Sequence, residues 1–168
     1  MNKFALFLVL ALWSLGGNAA LPEGLMKKPG EPAPALKLSD PDLGPFDLAN
    51  ERGHWVMVHF WASWCGPCRR ELPKIQAMSK QINTKKLKLI MINTAETDDD
   101  IFIFLSSVAP DLQSYRDADG SITNRWQPRG LPSSFLVDPE GRIQYLALGG
   151  RPWDEKEYVD FLKELYAR

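Results

Sequence analysis

The pattern of apolar and polar positions changes period several times along the chain. Phe4 to Leu15 ("FALFLVLALWSL") is an almost unbroken apolar run. "LPEGLMKKPGEPAPA" (21–35) is broken by proline and glycine, has no period, and is expected to be a linker. "LKLSDPDLGPFDLAN" (36–50) alternates weakly and predicts an edge hairpin leading into the domain. "WVMVHFWA" (55–62) is bulky on both faces, the pattern of a central strand covered on both sides. Leu72, Ile75, Met78 and Ile82 then fall at helical spacing. They predict a helix from Cys65 or Gly66 to about Asn83, kinked by Pro73.

"LKLIMINTA" (87–95) predicts a second strand, and "TDDDIFIFLSSVA" (97–109) a second helix. Thr97 is placed to cap that helix, acids fill its first turn, and Pro110 follows its end. "DADGSITNRW" (117–126) predicts a turn and a short helix. "SSFLVD" and "RIQYLAL" flank "PEG", a hairpin turning at Pro139–Gly141. In "DEKEYVDFLKELYAR" (154–168), Tyr158, Phe161, Leu162 and Leu165 form one apolar stripe, with Asp154 as candidate cap. The resulting order, β-α-β-α-(α)-β-β-α, predicts an α/β fold whose central sheet mixes a parallel section with an antiparallel hairpin.

Composition narrows the function. A chain of 168 residues suits one globular domain with extra peptide in front. A formal net charge of −1 with no basic run gives no electrostatic case for nucleic-acid binding. The N-terminus carries one charge, Lys3, then the apolar run, then the small residues Gly16 to Ala20. That is the order of a secretory signal. The apolar run is shorter than the roughly 20 residues a membrane span needs. Residues 1–20 are therefore expected to be a signal peptide, or an anchor if uncleaved. Residues 21–35 are expected to be a linker and 36–168 the domain, exported to the periplasm. No cysteine lies near the cleavage site, so lipoprotein processing is not expected.

Two cysteines, Cys65 and Cys68, are the only ones in the chain. In a helix N-terminus, the spacing Cys-x-x-Cys puts both sulfurs within reach of each other. It also sets the first one over unpaired backbone N–H groups and the positive end of the helix dipole. The thiolate is the nucleophile, so Cys65 is the attacking residue and Cys68 the resolving one. Gly66 permits close approach of another chain, and Pro67 stiffens the first turn. Two other uses fit less well. A structural bridge between residues three apart closes almost no loop. A zinc site needs about four ligands, and only His54 and His59 stand near enough to complete one.

At this point the residues resemble a known family. "VHFWASWCGPCRRELP" is similar to the active-site segment of the thioredoxin superfamily, and roughly residues 31–168 resemble its exported, TlpA-like branch of thiol–disulfide oxidoreductases. The match includes Pro73 as the kinking proline and Glu71 at the branch's acidic position. It also includes "RGLPSSFLVDPEGRI" (129–143), with Pro132 at the cis-proline and the hairpin that follows. The resemblance implies a thioredoxin-like fold, a mixed central sheet with helices on both faces. It implies a cis Pro132 beside the cysteines, with Leu131 offering its backbone to a substrate strand. It also implies no resident cofactor or metal.

The chain departs from the pattern at two positions. Thioredoxins proper carry a buried aspartate six residues before the first cysteine; here that residue is His59, and the aspartate's lysine partner is replaced by Met91. Glu71 and His59 are the two candidates to accept the Cys68 proton. Glu71 lies one turn beyond Cys68, and an imidazole's ordinary pKa near 6.5 lies close to working pH. The branch resemblance favours Glu71, and the alternative for His59 is a hydrogen-bonded core histidine. Trp64 is expected to shield the nucleophile and offer a flat contact surface. Trp61 is expected in the core, Trp126 and Trp153 can line the rim, and His54 is a loop residue with no role.

The resemblance implies a reductant of client protein disulfides, such as those of apocytochrome c or copper-site assembly proteins. A membrane thiol relay of the DsbD type would supply its electrons, and the protein would act as a monomer. Oxidase or isomerase action, and a Cu(I)-handling module using the same two sulfurs, are the alternatives. The methionines are dispersed rather than gathered near the pair, which weighs against copper. Peroxide reduction is not expected without a lone peroxidatic cysteine.

Overall fold

The computed structural model describes residues 21–167, so the expected signal or anchor over residues 1–20 lies outside the described residues. The chain runs β1 (Leu25–Pro32), β2 (Lys37–Asp40), β3 (Gly44–Asp47), a 3-10 turn (Leu48–Glu51), β4 (Trp55–Trp61) and α1 (Gly66–Ser79). It continues β5 (Leu87–Thr94), α2 (Asp98–Val108), β6 (Tyr115–Asp117), α3 (Ser121–Trp126), β7 (Ser133–Val137), β8 (Arg142–Leu148) and α4 (Lys156–Leu165). Six strands form one sheet in the order β1-β8-β7-β4-β5-β6, and β2 and β3 form a separate hairpin. β4, β5 and β6 are parallel; β4 pairs antiparallel with β7, β7 with β8, and β8 with β1. This is the mixed α/β, thioredoxin-like sheet that the element order and the resemblance imply.

β4 lies inside the sheet and is buried along nearly its whole length. Its side chains alternate between faces, as a strand requires. Met57 and Trp61 enter a core with Leu72, Ile75 and Met78 of α1, Phe104 and Leu105 of α2, and Leu162 and Leu165 of α4. Val56, Val58 and Phe60 enter the opposite core, with Phe46 of the hairpin, Trp126 of α3 and Phe135 of β7. Helices therefore cover both faces. His59 shares the face of Met57 and Trp61, which α1 crosses.

Four expectations are corrected. Residues 21–35 are not a free linker, because β1 pairs with β8 from Leu25↔Ala147 to Pro32↔Arg142, with a register shift between Lys27 and Glu31. Pro29 and Pro32 are tolerated because β1 is an edge strand. α1 ends at Ser79 rather than Asn83, although Ile82 still packs into the core from the following turn. α4 begins at Lys156 with Glu155 at its cap position, so Asp154 does not cap it. β6 has three residues, too short for periodicity to show in sequence. Elsewhere the local signals hold. Thr97 caps α2 through a reciprocal pair of bonds with Asp100, and α1 runs on through Pro73.

Candidate active site

Cys65 and Cys68 are joined in a disulfide, with Cα atoms 5.3 Å apart. Cys65 sits at the N-cap of α1, where its sulfur accepts the backbone N–H of Cys68 at 3.2 Å. Pro67 occupies the first turn and brings no N–H of its own. The sulfur therefore rests against the helix's positive end, where a thiolate is stabilised. Cys65 is 5 % exposed and Cys68 fully buried. Cys65 is thus the more accessible of the two.

Glu71 follows one helical turn after Cys68 and is buried. Its Oε1 accepts two donors, the backbone N–H of Arg151 at 3.0 Å and Trp153 Nε1–H at 2.7 Å. Both come from the segment after β8, which lies close against the start of α1: a Cβ on Gly150 would stand 3.5 Å from the Pro67 carbonyl. His59, also fully buried, lies opposite. Its neighbours across the sheet are Met91 on β5 and Ser134 on β7, and its Nδ1 is 2.8 Å from Ser134 Oγ. Its Nε2 stands 3.8 Å from Glu71 Oε2.

Burial pushes the Glu71 carboxyl up to about 7, against the opposing pull of Arg151, Trp153 and Lys74. Burial likewise holds His59 well below its ordinary value. Both shifts favour the uncharged forms, because an ion in an apolar interior loses its hydration. The pair is therefore not a resting salt bridge. Glu71 borders a cleft of about 390 Å³ shared with Arg70, Lys74, Arg151 and Glu155.

The rim is built by two further segments. Trp64, directly before Cys65, is 70 % exposed, as a contact surface must be. The loop carrying it is tied down at Ser63: Glu96 Oε2 accepts Ser63 N–H at 2.7 Å and Asn93 Nδ2–H at 2.6 Å, and the Ser63 hydroxyl bonds Glu96 Oε1. Ala95, in the left-handed region at φ 58°, turns the chain between Asn93 and Glu96. On the other side the Leu131–Pro132 peptide is cis. Phe60↔Ser133 is the last β4–β7 pair, so Pro132 lies where β4 leads into the cysteine segment. Leu131 is half-buried.

The residues that hold Glu71 and the Ser63 loop were not expected in those roles from the sequence. Trp153 is fully buried and donates to Glu71, and Trp126 packs between Phe60 and Phe135, so neither lines the rim. Trp61 is core, as its place in the strand implies, with its Nε1–H on Ser114 Oγ at 2.9 Å. Arg151, Trp153, Ser134 and Glu96 carry no local signal. Each acts on a residue more than 30 positions away.

Comparison with known proteins points the same way. The AhpC/TSA family matches residues 29–146, more than half of the chain. The thiol-disulfide oxidoreductase ResA of Bacillus cereus is 26 % identical over 167 residues, covering 95 % of each chain. ResA of Bacillus subtilis is 26 % identical over 120 residues, 71 % of this chain and 67 % of its own. Among solved structures, one from Chlorobium tepidum described as a DsbE-type thiol:disulfide interchange protein superposes with a TM-score of 0.70 at 29 % identity. That superposition covers 84 % of this chain and 99 % of the other. StoA of Bacillus subtilis, at 24 % identity and a TM-score of 0.65, shares the fold. With its paired cysteines at the head of α1, the chain belongs to the AhpC/TSA family of thioredoxin-like proteins and stands among the thiol–disulfide oxidoreductases of that family.

Proposed function

We propose that this thiol–disulfide oxidoreductase works outside the cytoplasm, in the periplasm, and reduces disulfides of particular client proteins. The observation that carries this reading is the Cys65–Cys68 pair at the N-terminus of α1, with the buried carboxyl of Glu71 one turn on. In the reduced protein the Cys65 thiolate attacks a client disulfide and expels one client thiolate. Cys68 then loses its proton to Glu71 and attacks Cys65 Sγ. The Cys65–client bond breaks, the second client thiolate leaves, and the Cys65–Cys68 bond forms. The client gains the two electrons that the pair loses.

The surrounding residues position the client. Trp64 offers it a flat apolar face, and Gly66 and Pro67 leave room above the nucleophile. The Leu131–Pro132 segment lets a client strand lie beside the sulfurs and pair with the Leu131 backbone. In this reading the protein needs no cofactor, acts as a monomer, and regains its electrons from a membrane thiol relay of the DsbD type. Residues 1–20 direct the export. Apoproteins awaiting haem or copper, whose cysteines must be reduced before loading, are clients of the right chemistry.

The test is the reduction potential of the pair measured against glutathione. A value near about −270 mV supports a reductant, and one near about −120 mV makes the protein an oxidant. Mixed disulfides trapped on Cys65 in the Cys68→Ser protein would name the clients. A Cys68→Ser protein that traps no partner overturns the resolving role of Cys68.

A further inference from the structure

Two buried titratable groups, Glu71 one helical turn beyond Cys68 and His59 on β4, face each other across a gap that no hydrogen bond fills. His59 Nε2 and Glu71 Oε2 stand 3.8 Å apart, and neither has a hydrogen-bond partner among the described residues. The remaining polar atoms of both side chains are engaged, Nδ1 with Ser134 and Oε1 with Arg151 and Trp153. The gap thus has a base on each side. We propose that, while the disulfide is closed, His59 and Glu71 hold one proton jointly in this gap, and that this proton passes to Cys68 when the disulfide opens. The second half rests on Glu71 as the acid–base partner of Cys68, as proposed above.

Charge balance selects the one-proton state. A carboxylate facing a neutral imidazole leaves a net negative charge among Met57, Trp61, Leu72 and Met91, all buried. An imidazolium facing a carboxylic acid leaves a net positive one. Either costs several kcal/mol of lost hydration. With one proton the dyad is neutral overall, on whichever atom the proton resides. Burial acts on the two groups in the matching directions, raising the carboxyl and lowering the imidazole.

Ser134 can serve both conditions of the dyad. With the proton present, Nδ1–H donates to Ser134 Oγ, leaving Nε2 to meet the proton. With it gone, the ring tautomerises, Nδ1 giving its hydrogen to water and Nε2 taking one from water, and the Ser134 hydroxyl then donates to Nδ1. The hydroxyl rotates and the bond survives. The other groups that face the dyad are few. α1 presents Lys74 and carries Cys68 one turn before Glu71, and the segment after β8 presents Arg151. Arg70 and Glu155 line the cleft over Glu71. The sheet neighbours Met91 and Ser134 carry no charge. Arg151 and Lys74 pull Glu71 toward carboxylate, which keeps the proton transferable rather than locked in place.

The transfer balances. When an incoming thiolate attacks Cys65 Sγ, the Cys65–Cys68 bond breaks and Cys68 leaves as a thiolate. The dyad's proton forms the Cys68 S–H bond, and the dyad is left one proton poorer. When Cys68 later attacks the client mixed disulfide, its S–H bond breaks and the proton returns to the gap.

The test is nuclear magnetic resonance on the intact oxidised protein across pH 5–9, following the ring nitrogens of His59 and the carboxyl carbon of Glu71. The chain has two histidines, so His59→Asn assigns the His59 signals. Both groups should report one common midpoint, the ring step should vanish in Glu71→Gln, and reduction should move the ring to its Nε2–H form. A ring that stays flat while Glu71 titrates overturns the shared proton. Stopped-flow closure of a mixed disulfide should slow about 100-fold in Glu71→Gln and about tenfold in His59→Asn at pH 7. Unchanged closure rates alongside a common midpoint would overturn the transfer to Cys68, and Glu71's catalytic role with it, while leaving the shared proton standing.

Discussion

Removing either member of the His59–Glu71 dyad should tilt the pH dependence of stability, and the two removals should tilt it in opposite directions. In the folded protein the Glu71 carboxyl is raised from 4.5 to about 7, while His59 is lowered from 6.5. Between pH 4.5 and 6.5 the unfolded chain therefore carries its proton on His59, and the folded chain carries it in the gap between His59 and Glu71. The raised carboxyl makes stability fall as pH rises through this window, because the folded state binds the extra proton there. The lowered imidazole makes stability rise with pH over the same window, because there the unfolded state binds the extra proton. In the unmodified protein the two slopes cancel.

Each slope is about 1.4 kcal/mol per pH unit, so over the window each amounts to roughly 3 kcal/mol. Glu71→Gln keeps an oxygen for Arg151 and Trp153 and leaves the imidazole slope alone. Its stability relative to the parent should rise by about that amount from pH 4.5 to 6.5. His59→Asn leaves the carboxyl slope, and its relative stability should fall. Urea unfolding of the oxidised proteins at three or four pH values reads both, and groups common to parent and variant subtract out. Difference curves that are flat, or that share one sign, would refute the reasoning.

Other substitutions test the supports of the site. Trp153→Phe removes the ring N–H from Glu71 Oε1 and should move the Glu71 midpoint up by about one pH unit, read from the pH profile of thiol exchange. A downward move would contradict the geometry. Glu96→Ala strips the acceptor from Ser63 and Asn93 and should cost about 2–3 kcal/mol in a denaturant titration, with Glu96→Gln recovering part of it. Leu72→Ala empties a fully buried position between α1 and the sheet and should cost about 2–5 kcal/mol by guanidinium unfolding.

Much of the architecture is legible because its signals are local. The continuous bulk of Trp55 to Trp61 and the spacing of Leu72, Ile75 and Met78 each lie within about a dozen residues, and so does the Thr97–Asp100 cap. Propensity and burial agree at these places, and the structure follows them. β1 was not legible. Its prolines and glycines read as linker, and only the open edge of β8 supplies the partner that makes it a strand. The end of α4 closest to the site misleads for a similar reason. Asp154 has the chemistry of a cap, but the chain around it is already committed to placing Trp153 against Glu71.

By itself the sequence determined the redox pair, because Cys-x-x-Cys at a helix start needs only four residues and the helix they begin. It also determined that Glu71 falls on the side of α1 that Cys68 shares. Whether Glu71 was a solvated helix residue or a buried acid could not be read from the helix, since that depends on what covers it. The covering residues come from β4, β7 and the segment after β8, at distances in sequence of 12 to more than 80 positions. Only the tertiary structure brings His59, Arg151 and Trp153 together around one carboxyl, with Ser134 behind the imidazole. It does so because the burial of strand and helix faces sets which elements meet, and that burial has no signature in any single stretch of chain.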